Sequence, residues 1–277
     1  MMHVSLVITT YNWPEALSLC LESAARQTLL PAEVMVADDG SDERTKAVVD
    51  RFRERVSFPV KHIWQENRGY RLAVVCNRAL AICQGNYVVQ VEGDAVLHRR
   101  FLEDHAAAAA EGYFVSGDRA CMEERLMRKV LETGSEAGVS WYVSGVRQRA
   151  KAYRAVWLSR LMCRYGTDSF RCGSGCNLAF WRDDLWCANG YDESLEGWGR
   201  EKEDLTHRLM RLGIRKRTLR FAGIMYRLWC PVQQEAPSFA RNDLRPLLPI
   251  SDGPAVCRNG ICKPEAVAPL RVLKSLS

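Results

Sequence analysis

The sequence predicts an α/β chain with a mostly parallel central sheet flanked by helices. Short apolar, β-rich runs alternate with helical patterns through the amino-terminal third, which is the signature of βαβ units. Two of those runs, Glu33–Ala37 and Tyr87–Val91, end in acidic, Gly-containing turns. Carboxylates that follow parallel strands gather at the carboxyl edge of a sheet, where open α/β folds bind ligands.

Val4–Ile8 opens the chain as a strand and runs into the polar turn Thr9-Thr10-Tyr11-Asn12. Pro14 suits a helix start, and Leu17, Leu21 and Ala24 keep helical spacing to about Thr28. The second strand, Glu33–Ala37, leads into Asp38-Asp39-Gly40-Ser41, and Ser41 or Asp42 can cap a helix over Glu43–Arg53. Val60–Trp64 reads as a third strand and Leu72–Gln84 as a helix. Tyr87–Val91 is the fourth strand and delivers Glu92-Gly93-Asp94. Such carboxylates can hold Mg²⁺ or Mn²⁺ against a diphosphate. A lone acid-x-acid turn is most often merely solvated; two at one sheet edge are a stronger signal.

Composition sets limits. A chain of 277 residues with 47% hydrophobic content can bury a sizeable core. No apolar run approaches the roughly 20 residues needed to span a bilayer. Thr9, Thr10 and Asn12 interrupt any leader-like stretch, so the expected location is the cytoplasm and the 11 cysteines are expected to be free thiols. Cys172 and Cys176, and Cys257 and Cys262, lack C-x-x-C spacing, which argues against structural zinc. No nucleic-acid-binding module is present. Pro231–Pro254 reads as loop, and 263–277 as a poorly ordered tail. The net charge is +6, and Val146–Tyr165 holds six basic residues and no acid. Val146, Ala150, Tyr153, Trp157 and Leu161 follow helical spacing there. That pattern predicts a basic amphipathic helix near 146–165, suited to an anionic membrane surface such as the inner face of the cytoplasmic membrane, or to a phosphorylated glycolipid. An ordinary solvated helix packed on the core is the plainer alternative.

Val4–Asn12, Asp38–Ser41, Gly69-Tyr70-Arg71, Asn77–Leu80 and Glu92-Gly93-Asp94 together resemble the nucleotide-sugar half of family 2 glycosyltransferases, which have the Rossmann-like GT-A fold. The later segments Gly173–Trp181, Asn189–Glu193 and Gly197–Glu201 are similar to the acceptor-side half of galactosyltransferases and chondroitin-polymerase-like domains. The resemblance spans roughly residues 3 to 262 in consistent order. It implies residues 1–98 as the nucleotide-sugar half and 99–262 as the acceptor-binding and catalytic half. It also implies inverting transfer from a nucleotide-diphosphate sugar to a glycan or glycolipid of the cell envelope, such as lipopolysaccharide core or a capsule-like polysaccharide.

The resemblance also implies roles. Asp39 would hydrogen-bond the base or ribose, with Thr9 and Tyr11 lining the same pocket and Arg71 countering a phosphate. Asp94 would hold the divalent cation, Mg²⁺ or Mn²⁺, with the longer Glu92 in place of the usual first aspartate. Asn177, Trp198 and Gly199 would face the acceptor. The catalytic base is expected in Trp198–Leu205, where Lys202 replaces the family's aspartate and Glu201, Glu203 and Asp204 remain as candidates. Acids in a first helical turn also complement the helix dipole, the structural alternative for all three. At Tyr226–Pro231, Cys230 takes the place of a metal-binding histidine. A thiolate suits Mg²⁺ poorly, and Arg227 could neutralise the diphosphate instead. A non-catalytic relative that binds nucleotide or glycan is the rival reading. A nucleotidyltransferase lacks support, because no Gly-rich, lysine-containing loop follows the first strand.

Overall fold

The computed structural model describes residues 2–135, 138–163, 176–195, 197, 200–229 and 252–263. The chain forms β1 (Val4–Thr10), α1 (Pro14–Ala25), β2 (Glu33–Asp38), α2 (Glu43–Arg53), β3 (Val60–Trp64), α3 (Leu72–Ile82), β4 (Tyr87–Glu92), β5 (Ala95–Leu97) and α4 (Phe101–Ala108). It continues through β6 (Tyr113–Gly117), β7 (Ala120–Met122), α5 (Glu124–Thr133), β8 (Val146–Arg147), α6 (Arg149–Ala152) and α7 (Val156–Cys163). The remaining elements are β9 (Asn177–Trp181), α8 (Arg182–Cys187), α9 (Glu201–Arg211), β10 (Arg215–Leu219) and β11 (Met225–Arg227).

The main sheet has seven strands in the order β10-β6-β9-β4-β1-β2-β3. β1 lies between β2 and β4, parallel to both, with Thr9 opposite Ala37 on one side and Glu92 on the other. That register brings both acidic turns to the carboxyl end of β1. β9 inserts antiparallel between β4 and β6, so the two halves of the chain share one sheet. Side chains alternate between faces: Leu6, Ile8, Val34 and Val36 enter one core cluster, and Val7, Met35 and Ala37 the other. Strands buried on both faces read as continuous apolar runs, which is why they are visible in the sequence. Pro14 occupies the first turn of α1, and Asp42 caps α2 by accepting from the Arg44 and Thr45 amides.

A second sheet, β5-β11-β7-β8, has strands of only two or three residues. β11 pairs antiparallel with β5, with Arg227 opposite Ala95, and parallel with β7. This small sheet covers the end of β4.

The continuous basic helix expected near 146–165 does not form. Val146 is drawn into β8 opposite Met122, and Gln148 takes a left-handed backbone with φ 56°. Tyr153–Ala155 separates α6 from α7. The buried positions are Val146, Ala152, Ala155 and Ser159, whereas the rest of the expected apolar stripe, Ala150, Tyr153, Trp157 and Leu161, is exposed, Trp157 at 73%. Arg154 is tied bidentately to Asp104 (2.9 and 2.6 Å), and Lys151 lies 3.4 Å from Asp118. Tertiary pairing has overridden the periodic pattern, and several of the basic groups are locally matched. Residues 164 and 165, 172, 230–251 and the tail from 264 lie outside the described residues. Cys20, Cys76, Cys83, Cys121, Cys176, Cys187, Cys257 and Cys262 are free.

One buried polar cluster joins the two sheets. Asn177 at the start of β9 donates to the Asp118 and Gly223 carbonyls (2.9 and 3.1 Å), so its Oδ1 accepts from His105 Nε2 at 2.8 Å. His105 is fully buried, and its Nδ1 has no partner. Burial drives its pKa down to about 4, against the pull of Asn177 and Asp104. The unfolded chain takes up this proton below about pH 6.5, whereas the folded chain resists until about pH 4. Stability is therefore complete above pH 6.5 and is lost as pH falls, by about 3 kcal/mol in all. Unfolding of wild type and His105→Gln across this range checks it: the wild-type advantage should shrink on acidification. A pH-independent difference would show that His105 does not titrate this way.

Candidate active site

The carboxyl edge of β1, β2 and β4 opens into a cleft of about 190 Å³. Thr9, Tyr11 and Asp39 line it, as do Glu92, Asp94 and Arg227. These six sequence-chosen residues, from four distant segments, therefore meet in one cleft. Trp13, which the sequence does not single out, and Tyr70, which belongs to the Gly69-Tyr70-Arg71 motif without an implied role, also line it.

The two aspartates of the first acidic turn differ in what they hold. Asp38 is fully buried and fixes the turn, accepting from the Ser41 amide (2.8 Å) and pairing with His62 (2.8 Å). Asp39 faces the cleft, accepting from Gln65 Nε2 at 2.5 Å and from the Arg71 amide at 2.8 Å. Burial raises its pKa despite those two hydrogen bonds. Gly40 carries φ 95° and lies so close to the Asn67 backbone that a Cβ would meet its nitrogen at 2.5 Å. The 65–71 loop is thereby pressed onto the turn. Arg71 contributes its backbone amide; its guanidinium donates to the Glu66 carbonyl at 2.9 Å, so it braces this loop rather than lining the cleft. Tyr11 sits at the rim, its hydroxyl accepting from Asn67 at 2.9 Å.

The second acidic turn is met by cations. Lys202 Nζ donates to Glu92 Oε1 at 2.7 Å, and Arg227 Nε donates to Asp94 Oδ2 at 2.8 Å. Arg227 and Arg119 also approach Glu92 Oε2, at 3.6 and 4.0 Å. The small sheet supplies this arrangement. β11 pairs with β5 directly after Asp94, the Leu228 amide donates to the Asp94 carbonyl (2.8 Å), and β7 follows Arg119. Burial disfavours charge on Glu92, but Lys202 and Arg227 hold its carboxyl below the usual range. Burial and the charge of Glu92 push Asp94 up, against Arg227. Burial likewise opposes the charges of Lys202 and Arg227, yet the neighbouring acids keep both firmly protonated.

A divalent ion fits this constellation poorly. Glu92 Oε2 and Asp94 Oδ1 are buried oxygens without hydrogen-bond partners, the one feature that suits an ion. An ion shared by them would sit among Lys202, Arg227 and Arg119. Among the described residues no group of three or more His, Cys, Asp or Glu could hold a metal. Cys230 lies outside the described residues.

The candidate bases sit in the first turn of α9. Glu201 is 4% exposed, and the Tyr70 hydroxyl donates to its Oε1 at 3.4 Å. Tyr70 thus links Glu201 to the cleft. Glu203 is half-buried and absent from the cleft lining. Asp204 serves the fold instead. It accepts from Arg208 Nε at 2.8 Å, and buried Arg208 donates to the Ala188 and Gly190 carbonyls. Asp204 therefore orients a structural arginine and is not placed to act as a base. Asn177, expected to face the acceptor, is 1% exposed and spends its amide inside the core. Trp198 and Gly199 lie outside the described residues. The preceding Gly197 amide donates to the Tyr70 carbonyl at 3.1 Å, which brings the start of that segment to the cleft.

Asn77 and Asn189–Glu193 prove architectural. Asn77 donates to the Tyr191 carbonyl and to Glu193, and the Tyr191 hydroxyl donates to Gln90 at 2.5 Å. Residues 252–263 dock against Asn189.

The fold and this cleft define a GT-A glycosyltransferase architecture. The sequence matches Glycosyl transferase family 2 over residues 5–187, and the N-terminal domain of galactosyltransferase over residues 154–228. The chain belongs to glycosyl transferase family 2. It is 27% identical to chondroitin synthase from Escherichia coli over 76% of its own length and 32% of that protein's. It is 28% identical to validoxylamine A glucosyltransferase from Streptomyces hygroscopicus subsp. limoneus, over 76% of this chain and 48% of that protein. The chain thus spans half or less of these relatives. Among solved structures, a mannosyltransferase from Pyrobaculum calidifontis in complex with GDP-Man and Mn²⁺ matches with TM-score 0.55 and 20% identity, over 81% of this chain and 56% of that one. GalNAc-T7 with UDP, GalNAc and Mn²⁺ matches with TM-score 0.62 and 14% identity, over 83% and 44%.

Proposed function

We propose that this chain transfers a sugar from a nucleotide-diphosphate sugar to a hydroxyl of a glycan or glycolipid, with inversion at the anomeric carbon. The observation that supports it best is the convergence of Asp39 and the Glu92–Asp94 turn on one cleft at the sheet edge. Asp39 offers an anionic acceptor, pre-oriented by Gln65 and the Arg71 amide, for donor hydroxyl or base N–H groups. In the transfer step the acceptor oxygen forms a bond to the anomeric carbon. The bond from that carbon to the diphosphate oxygen breaks, and its electron pair stays on the departing diphosphate. The acceptor proton must go to a base, and we assign that role to Glu201, a choice supported by its contact with Tyr70. A capsule-like polysaccharide is the acceptor we favour, in line with the chondroitin synthases among the relatives; lipopolysaccharide core rests on the family resemblance alone. The expectation of a membrane surface loses the continuous helix that motivated it. Among the described residues no helix is long and apolar enough to cross a membrane.

Asp39→Asn tests the donor site with little change in shape. Asparagine can still accept from the Arg71 amide, and Gln65 can turn its unpartnered Oε1 toward the new amide. Losing a charge-assisted hydrogen bond costs about 1.5–3 kcal/mol, a roughly 10- to 150-fold weaker nucleotide affinity. Calorimetric titration with UDP and GDP measures it; affinity unchanged from wild type would remove Asp39 from the donor site.

A further inference from the structure

We infer that fixed cations, with Arg227 facing the ligand, do in this chain what a divalent ion does at an acidic turn, so that the donor diphosphate is bound without metal. This rests on the donor reading above and deepens it. Both carboxylates of the turn are already engaged: Lys202 Nζ lies 2.7 Å from Glu92 and Arg227 Nε lies 2.8 Å from Asp94. Arg119 completes the set at 4.0 Å from Glu92. Charge balance favours the arrangement as it stands. Two carboxylates against a divalent ion would leave the turn neutral, whereas two carboxylates against three fixed cations leave one positive charge. That charge is presented where it is needed, because Arg227 lines the cleft. Lys202 does not line it; it neutralises Glu92, so that the charge of Arg227 is not cancelled.

The donor groups match as well. Arg227 uses Nε on Asp94 and has Nη2 3.6 Å from Glu92 Oε2, which fixes the plane of the guanidinium and leaves Nη1 for an anion. A planar fork of this kind suits the oxygens of a diphosphate. When the anomeric bond breaks, the departing diphosphate gains a negative charge, and a preorganised cation stabilises it without rearrangement. An added ion bridging Glu92 Oε2 and Asp94 Oδ1 would sit beside Arg227, with Lys202 and Arg119 already on Glu92, against like charge at close range.

Calorimetric titration of the full chain with UDP and with GDP, in chelator and again in excess Mn²⁺, tests the inference. The expected result is that whichever nucleotide binds does so in chelator, with affinity within about threefold of that in Mn²⁺. Arg227→Gln, which keeps a donor for Asp94 and removes the charge, should then weaken binding in chelator by roughly tenfold or more. Arg227→Lys should restore part of the loss. Binding that requires Mn²⁺ would overturn this inference and leave the donor reading standing. Binding in neither condition would overturn both. Binding in chelator that is indifferent to Arg227→Gln would overturn the assignment of the cation.

Discussion

Glu201→Gln should lower kcat by roughly 10²–10⁴-fold, the usual contribution of a positioned base, with little change in nucleotide affinity. Glu201 is a buried carboxylate in the first turn of α9, and the Tyr70 hydroxyl reaches it from the cleft at 3.4 Å. Glutamine keeps the volume and can still accept from Tyr70, so the fold should survive while proton acceptance is lost. Glu203→Gln should do much less, because neither carboxylate lines the cleft and only Glu201 is reached from it, through Tyr70. Asp204→Asn should act through stability instead, since Asp204 orients the Arg208 that holds the Ala188 and Gly190 carbonyls. Steady-state kinetics with parallel nucleotide titrations separates these outcomes. A Glu201→Gln enzyme with normal kcat would move the base elsewhere.

Lys202→Met should destabilise the protein. In sequence, Lys202 reads as a charge in an acidic first helical turn, free to be solvated. In the structure it is 8% exposed and pairs with Glu92 across 110 residues of chain. Removing one partner of a buried ion pair typically costs about 3–5 kcal/mol. The lower end, about 3 kcal/mol, is expected here, because a quarter of the Glu92 side chain stays exposed and Arg227 and Arg119 remain beside it. For a chain of this size that is a fall in Tm of roughly 6–12 °C. The double variant Lys202→Met with Glu92→Gln should recover much of the loss, because it removes the orphaned charge as well. Thermal unfolding of the single and double variants checks this. Equal stability of Lys202→Met and wild type would mean the pair contributes nothing to the fold.

These two residues show where the sequence is legible and where it is not. β1, β2 and β4 could be read because each is an apolar run, and the turns after them could be read because acids end those runs abruptly. The parallel register then fixes their convergence without further information. Lys202 and Arg119 could not be placed, because what matters about them is distance. The Glu92–Lys202 pair closes over 110 residues and the Asp94–Arg227 pair over 133. The strands that carry Arg227 and follow Arg119 have three residues each, too short to show a period. One signal was present: the family resemblance implies an acid where Lys202 stands and a histidine where Cys230 stands, three residues after Arg227. The 146–165 segment failed in the opposite way. Its helical spacing is real, but β8 pairing and the left-handed Gln148 break it, and the buried face is Ala152, Ala155 and Ser159. Asn177 misled because a polar residue in a motif invites a ligand, whereas here it joins His105 to the Asp118 and Gly223 carbonyls.

The most direct test of the central claim is a thermal-shift panel of UDP-, GDP-, ADP- and CMP-linked sugars on wild type and Asp39→Asn. A ligand bound only by the native state stabilises it by about 2.7 kcal/mol at a hundred times its Kd. The cleft at the ends of β1, β2 and β4 predicts that at least one nucleotide sugar raises the Tm of wild type and that the shift largely disappears in Asp39→Asn. A panel in which no nucleotide sugar raises the Tm, or in which both proteins respond equally, would contradict donor binding at this cleft.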